Sequence, residues 1–170
     1  MTRSIPFHRR SAWLALVGGV FLPVLGCGED HAAAERELDV LAARVASRTE
    51  RAVRSIEVAH ILVAFAGTGT KATRSKEAAK TRAALLLRQA LGGADFLELM
   101  KANSDDTGGG VYVMSDPKKP GIEIPGAMPR SSMVPAFGNV GWRLDVGDIG
   151  VAPFNPTTSK FGWHIIKRTR

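Results

Sequence analysis

A chain of 170 residues is enough for one domain, or for one small domain with a tail, and 45% hydrophobic with 23% charged residues is the balance of a globular protein. The formal charge is +7, but the basic residues are spread along the sequence rather than gathered among aromatics, which argues against a nucleic-acid-binding face. Cys27 is the single cysteine, so no internal disulfide can form.

The first eleven residues carry Arg3, His8, Arg9 and Arg10 with no acid, and an almost wholly apolar run follows from Ala12 to Leu25. A basic start and about a dozen apolar residues make a secretory leader, since a membrane span needs about 20. The run closes at Val24-Leu25-Gly26-Cys27, which resembles the lipobox of bacterial lipoproteins. That resemblance implies a signal peptide over 1–26, lipid on Cys27, and a mature chain held at a membrane on the extracytoplasmic side of the cell envelope.

Beyond the cysteine, Ala34 to Ser55 has a helical composition, with Leu38, Leu41 and Val45 near helical spacing. The stripe is thin, so residues 27–55 read as a lipid-anchored linker whose helix packs weakly or serves as a stalk. Ile56 to Phe65 is β-branched and apolar with no breaker, the pattern of a buried strand. Ser75 is a good N-cap for a helix over Lys76–Leu91, which Gly92-Gly93 stops, and Asp95 with Glu98 caps a second helix bearing Phe96, Leu99 and Met100. Val111 to Met114 reads as a short strand, and Asp116 to Ser132, with four prolines, as a loop. Met133 to Val140 reads as a short helical turn, Val151 to Phe154 as a strand, and Phe161 to Arg168 as a closing strand. The order of strand, two helices, strand, short helix and two strands predicts an α+β domain with helices packed on a sheet.

His60 and His164 each sit in the middle of an apolar strand. If those strands are neighbours, the two imidazoles meet on one face, and each can fix the other's tautomer through its one donor and one acceptor. Met133 and Phe137 are four apart, which is one face if the segment is helical. Neither a His-Glu-x-x-His pattern nor a Gly-x-Ser-x-Gly turn occurs, so a metal-dependent hydrolase built on His60, His164 and Asp106 is disfavoured.

Five segments, in order across residues 56–169, resemble the parvulin-type peptidyl-prolyl cis/trans isomerases. They are Val58-Ala59-His60-Ile61-Leu62-Val63, Ala94-Asp95-Phe96 with Ser104-Asp105-Asp106, Met133-Val134-Pro135-Ala136-Phe137, Val146-Gly147-Asp148-Ile149 and Phe161-Gly162-Trp163-His164-Ile165-Ile166. The resemblance implies a parvulin-like domain over 56–170 with a small antiparallel or mixed four-stranded sheet flanked by helices. It places Asp106 beside the reacting amide, has His60 and His164 order the floor of the catalytic site, and puts Met133 and Phe137 in the proline pocket, for which Val111 and Phe161 are weaker candidates. No cofactor and no metal are implied. The implied partners are unfolded or partly folded exported polypeptides containing Xaa-Pro bonds.

Gly109-Gly110-Val111-Tyr112 stands where the family has Gly-Gly-Asp-Leu-Gly, and about a dozen extra residues precede Met133. The departure leaves a non-catalytic, membrane-anchored binding module as the alternative. The 116–132 insertion, beside the pocket segment, reads as a substrate-facing flap. Lys71, Arg74 and Lys76 could favour an acidic residue before the proline, or be plain solvated charges.

Overall fold

The computed structural model describes residues 30–170; the leader and Cys27 lie outside them. Helix α1 spans His31–Ala46, strand β1 Ser55–Val63, helix α2 Lys76–Leu91 and helix α3 Phe96–Asn103. Strand β2 (Val111–Ser115), strand β3 (Met128–Pro129), helix α4 (Pro135–Arg143), strand β4 (Ile149–Ala152) and strand β5 (Trp163–Arg168) follow. The sheet order is β3-β2-β1-β5-β4, antiparallel except for the parallel pair of β2 and β3.

β1 is the centre of the sheet, and its alternation sorts the two faces. Gly141 of α4 lies against Ile56 and Val58, so α4 covers the face that also carries His60 and Leu62. On the other face Lys167, paired with Ala59, reaches over the Phe96 ring of α3. Asp95 and Ser75 accept hydrogen bonds from the N–H groups of Glu98 and Ala78, capping α3 and α2 as their sequence signals require.

Four expectations need correction. The sheet has five strands, because two residues inside the 116–132 insertion pair with the β2 edge; a two-residue strand carries no periodic signal to read. The last two strands begin elsewhere, β4 at Ile149 and β5 at Trp163. Met133 is not helical: it is extended (φ −89°, ψ 158°), and α4 starts at Pro135, whose ring suits a first helical turn.

The fourth correction concerns α1, which is part of the core rather than a stalk. Ala34, Leu38, Leu41, Ala42 and Val45 are buried, a stripe completed by two alanines that look neutral in sequence. The helix packs along α2 and reaches β4 and α4. Lys80–Asp39 at 2.8 Å and the two-pronged Arg88–Glu37 contact at 2.8 and 3.0 Å tie it to α2.

After α1 the chain returns to β1 through a charged junction. Glu50 receives Arg130 at 2.6 and 2.8 Å and Lys119 at 3.0 Å, and lies 3.4 Å from Arg143. The Arg130 hydrogen bond, chiefly, holds the Glu50 carboxyl at about 2. Trp142, fully buried, donates its indole N–H to the Val53 carbonyl at 2.9 Å, and the Arg130 guanidinium lies 4.8 Å over its ring.

Leu38→Ala is expected to destabilise the protein by about 2–4 kcal/mol in urea unfolding, the cost of a cavity in a packed core. Val40→Ala, at a position 63% exposed on the same helix, is expected to change stability by less than about 0.5 kcal/mol. Equal small effects would return α1 to the role of a stalk.

Candidate active site

The pairing of β1 with β5 sets Leu62 opposite His164 and His60 opposite Ile166, so the two histidines are diagonal neighbours on one face. Their Nδ1 atoms are 3.3 Å apart, and their rings stack at 5.3 Å with 24° between planes. The expected meeting of the imidazoles is what the sheet register produces.

Asp106 is delivered to His60 by the chain just before it. The N–H of Leu62 donates to Ser104 Oγ at 3.0 Å, Asp105 N–H donates to the Leu62 carbonyl at 2.9 Å, and Ala64 N–H donates to Asp105 Oδ2 at 2.8 Å. Residues 104–105 are thus laced to the end of β1, and the next side chain falls beside the imidazole. Asp106 Oδ2 is 2.8 Å from His60 Nε2 and accepts from Tyr112 Oη at 2.8 Å, while Oδ1 accepts from Gly108 N–H at 2.9 Å. Two residues before Leu62, on the same edge of β1, the backbone N–H of His60 donates to the Gly110 carbonyl at 2.8 Å. Gly110 has φ +76°, and a Cβ there would stand 2.6 Å from Met100 Sδ and 3.1 Å from the His60 carbonyl, so any other residue would be strained and would push the Met100 side chain aside.

The hydrogen bond from His60, with those from Gly108 and Tyr112, holds the Asp106 carboxyl well below the usual carboxylate range despite partial burial. Burial, and then the bond to that carboxylate, pushes the Tyr112 hydroxyl up to about 12. Asp106 is therefore an anion and accepts from His60 Nε2–H. A neutral His60 then offers only Nδ1 as an acceptor, so the proton between the two Nδ1 atoms belongs to His164. His164 Nε2 is left as a bare acceptor, buried and without a hydrogen-bond partner among the described residues. Protonating it would put a charge in apolar surroundings, and burial, with His60 nearby, pushes this imidazole down to about 3.

Over this floor opens a hollow of about 310 Å³ whose walls include Leu62, Tyr112, Met128, Met133, Phe137 and Phe161. The Phe137 ring meets His60 edge-on at 4.9 Å and His164 at 5.5 Å, and Tyr112 lies 5.4 Å from His60. Met133 and Phe137 converge although they share no helix: Met133 comes from the extended approach to α4 and Phe137 from its first turn. Phe161 borders this hollow and a larger one lined by the 69–74 loop and residues 104–107.

Val111 is displaced from the expected set. It pairs with Ala59, on the face away from His60, and is 46% exposed, whereas Tyr112 pairs with Val58 and turns to the site. Tyr112 is thus a site residue that the sequence reading missed, and the register of β2 against β1 is what reveals it. Of the three basic loop residues, Arg74 is committed to Asp105 (Nη2 to Oδ1 at 3.2 Å) and to the Ala64 carbonyl at 2.7 Å. Lys76 lies 4.7 Å over the Phe154 ring.

A buried neutral histidine has a consequence in acid. Between pH 6.5, its ordinary value, and about 3, the unfolded chain holds a proton that folded His164 refuses, so stability falls as pH falls through that window. Asp106 and Glu50, both depressed, lose stability in the same direction, but only as pH drops below 3.8 and 4.5, their ordinary values. The melting temperature is therefore expected to drop between pH 6.5 and 4.5, and His164→Gln to remove most of that slope; an unchanged slope would assign it elsewhere.

The PPIC-type PPIase domain family matches residues 42–170, which includes the end of α1. No curated protein matches the sequence. The solution structure of TbPIN1 is 23% identical, with a TM-score of 0.52 over 69% of this chain and 98% of that one. The solution structure of NmPin, the parvulin of Nitrosopumilus maritimus, is 24% identical, with a TM-score of 0.41 over 69% of this chain and 97% of that one. The first supports a parvulin-like fold, and the family match reaches beyond the fold to the activity. With the match running from α1 to the final residue, the chain belongs to the PPIC-type, or parvulin, family and is a peptidyl-prolyl cis/trans isomerase.

Proposed function

We propose that this isomerase acts on Xaa-Pro bonds of unfolded or partly folded exported polypeptides, at the extracytoplasmic side of the cell envelope, tethered by lipid on Cys27. The observation that carries the catalytic part is a fixed carboxylate lining a hollow with room for a proline ring. Asp106 is held by His60, Tyr112 and Gly108, beside walls that include Met133, Phe137 and Phe161. The envelope location rests on the leader and its Val24-Leu25-Gly26-Cys27 ending.

A barrier of about 18–20 kcal/mol opposes rotation about the amide because resonance places negative charge on oxygen and double-bond character on C–N. Water stabilises that planar form by hydrogen bonding to the oxygen. An apolar seat for the pyrrolidine ring strips part of that water away. A fixed anion near the oxygen disfavours the planar charge distribution more than the twisted one, in which the oxygen is less negative. In this reading Asp106 supplies the field, and Tyr112 and His60 position it. Met133, Phe137 and Phe161 hold the ring. His164 keeps His60 in the tautomer that donates to Asp106. No bond is made or broken in the chain, so no cofactor enters the step.

Asp106→Ala is expected to lower kcat/KM by about tenfold or more, and to cost about 1–3 kcal/mol of stability because the buried His60 Nε2–H loses its acceptor. Met133→Ala is expected to raise KM in a proline-peptide assay. Tyr112→Phe deletes one charge-assisted hydrogen bond and is expected to lower kcat by up to about tenfold with KM nearly unchanged. Full activity in Asp106→Ala would remove the carboxylate from the mechanism. Suppression of aggregation without acceleration of the slow proline phase would make the protein a binding module. Recovery of Cys27→Ser in the membrane fraction would sink the lipid anchor.

A further inference from the structure

The 116–132 insertion is fastened along its length. β3 pairs with β2, Arg54 holds Glu123 at 3.1 and 3.2 Å and the Pro117 carbonyl at 3.0 Å, and Ile124 N–H donates to Ser55 Oγ at 3.2 Å. Its end is locked by Arg130, which reaches Glu50, Asp116 at 3.1 Å and Asn139 at 2.6 Å. The expected flap is in these contacts a wall.

Behind that wall lies a second hollow, of about 430 Å³, lined by Pro117, Pro129, Ser131, Met133, Pro135 and Asn139 among others. It adjoins the proline seat. Met128, Ser132 and Val134 line the seat, Pro129, Ser131 and Pro135 line the second hollow, and Met133 is shared by both. Three pyrrolidine rings and a thioether supply the second hollow's apolar wall, and Asp116, Lys118 and Arg130 stand beside them. Of the two cations that line this hollow, Arg130 is already matched by Glu50 and Asp116, and Lys118 is exposed, where solvent screens its charge.

We infer that the second hollow is a subsite of the client groove, which takes a large apolar side chain within a few residues of the isomerising proline. This rests on the isomerase reading and deepens it. The client chain enters over the 69–74 loop, seats its proline above His60 and Asp106, and leaves past Met133 along the insertion. Selectivity at this position then comes from burying apolar surface against a preformed wall, not from charge.

The test uses the full chain and fluorescent proline peptides with alanine or phenylalanine at each of three positions on either side of the proline. Kd is read by anisotropy and isomerisation by exchange NMR. At one position, on one side only, phenylalanine is expected to tighten binding by about five- to tenfold over alanine. Ser131→Trp, which fills the hollow, is expected to erase that preference, and Ser131→Ala, which leaves it open, to retain it. Equal Kd values across the wild-type series would overturn the subsite, as would a preference that survives Ser131→Trp in a protein of unchanged melting temperature. Turnover without any positional preference refutes the subsite alone. Preference without turnover on any peptide refutes the isomerase reading and leaves the binding position standing.

Discussion

The hydrogen bond between His60 Nε2 and Asp106 Oδ2, 2.8 Å long, joins the central strand to the chain leaving α3, and the geometry of the site follows from it. It fixes which His60 nitrogen carries hydrogen, hence which way the proton points between the two Nδ1 atoms, hence the bare Nε2 of His164. It also keeps Asp106 ionised in a partly buried place where a lone carboxylate would drift toward protonation. Three donors on one carboxylate fill most of its acceptor sites and hold its charge in place. A stationary charge acts on an amide; a mobile one would follow it.

That bond is possible because the backbone does the alignment first. Ser104 and Asp105 are stitched to Leu62 and Ala64, and Gly110 to His60, so residues 104–110 run along one edge of the strand. Gly162 performs a similar service before β5: at φ +144°, with a Cβ that would fall 2.2 Å from the Val63 carbonyl, only glycine allows that close approach. Two glycines and two short polar side chains thus set the spacing into which the imidazoles fit.

What could be read in advance follows the same physics. His60 and His164 were legible because each interrupts an apolar strand, and a buried polar group needs a partner. Asp106 was legible through its neighbours in the family pattern. Tyr112 is hidden in the sequence because a short strand of apolar residues does not disclose which parity faces the site; the register against β1 decides it. The role of helix α1 is hard to read because Ala34 and Ala42 bury little surface yet complete the stripe that packs into the core. β3 was invisible because its partner lies across the insertion and two residues have no period.

The charged junction around Glu50 shows why the insertion stays put at modest energetic gain. Its ion pairs are partly buried, and the desolvation they suffer offsets much of their attraction, so their contribution to stability is small beside that of the apolar core. Their geometric effect is larger. Arg130 is bonded to Glu50, Asp116 and Asn139 while it stacks on Trp142, leaving few orientations open to it. A segment of prolines and glycines, which would otherwise sample many positions beside the proline seat, is thereby held in one. For a reaction in which the protein forms no covalent bond, the catalyst's resource is the constancy of its surfaces, and fixed walls serve that end as directly as the carboxylate does.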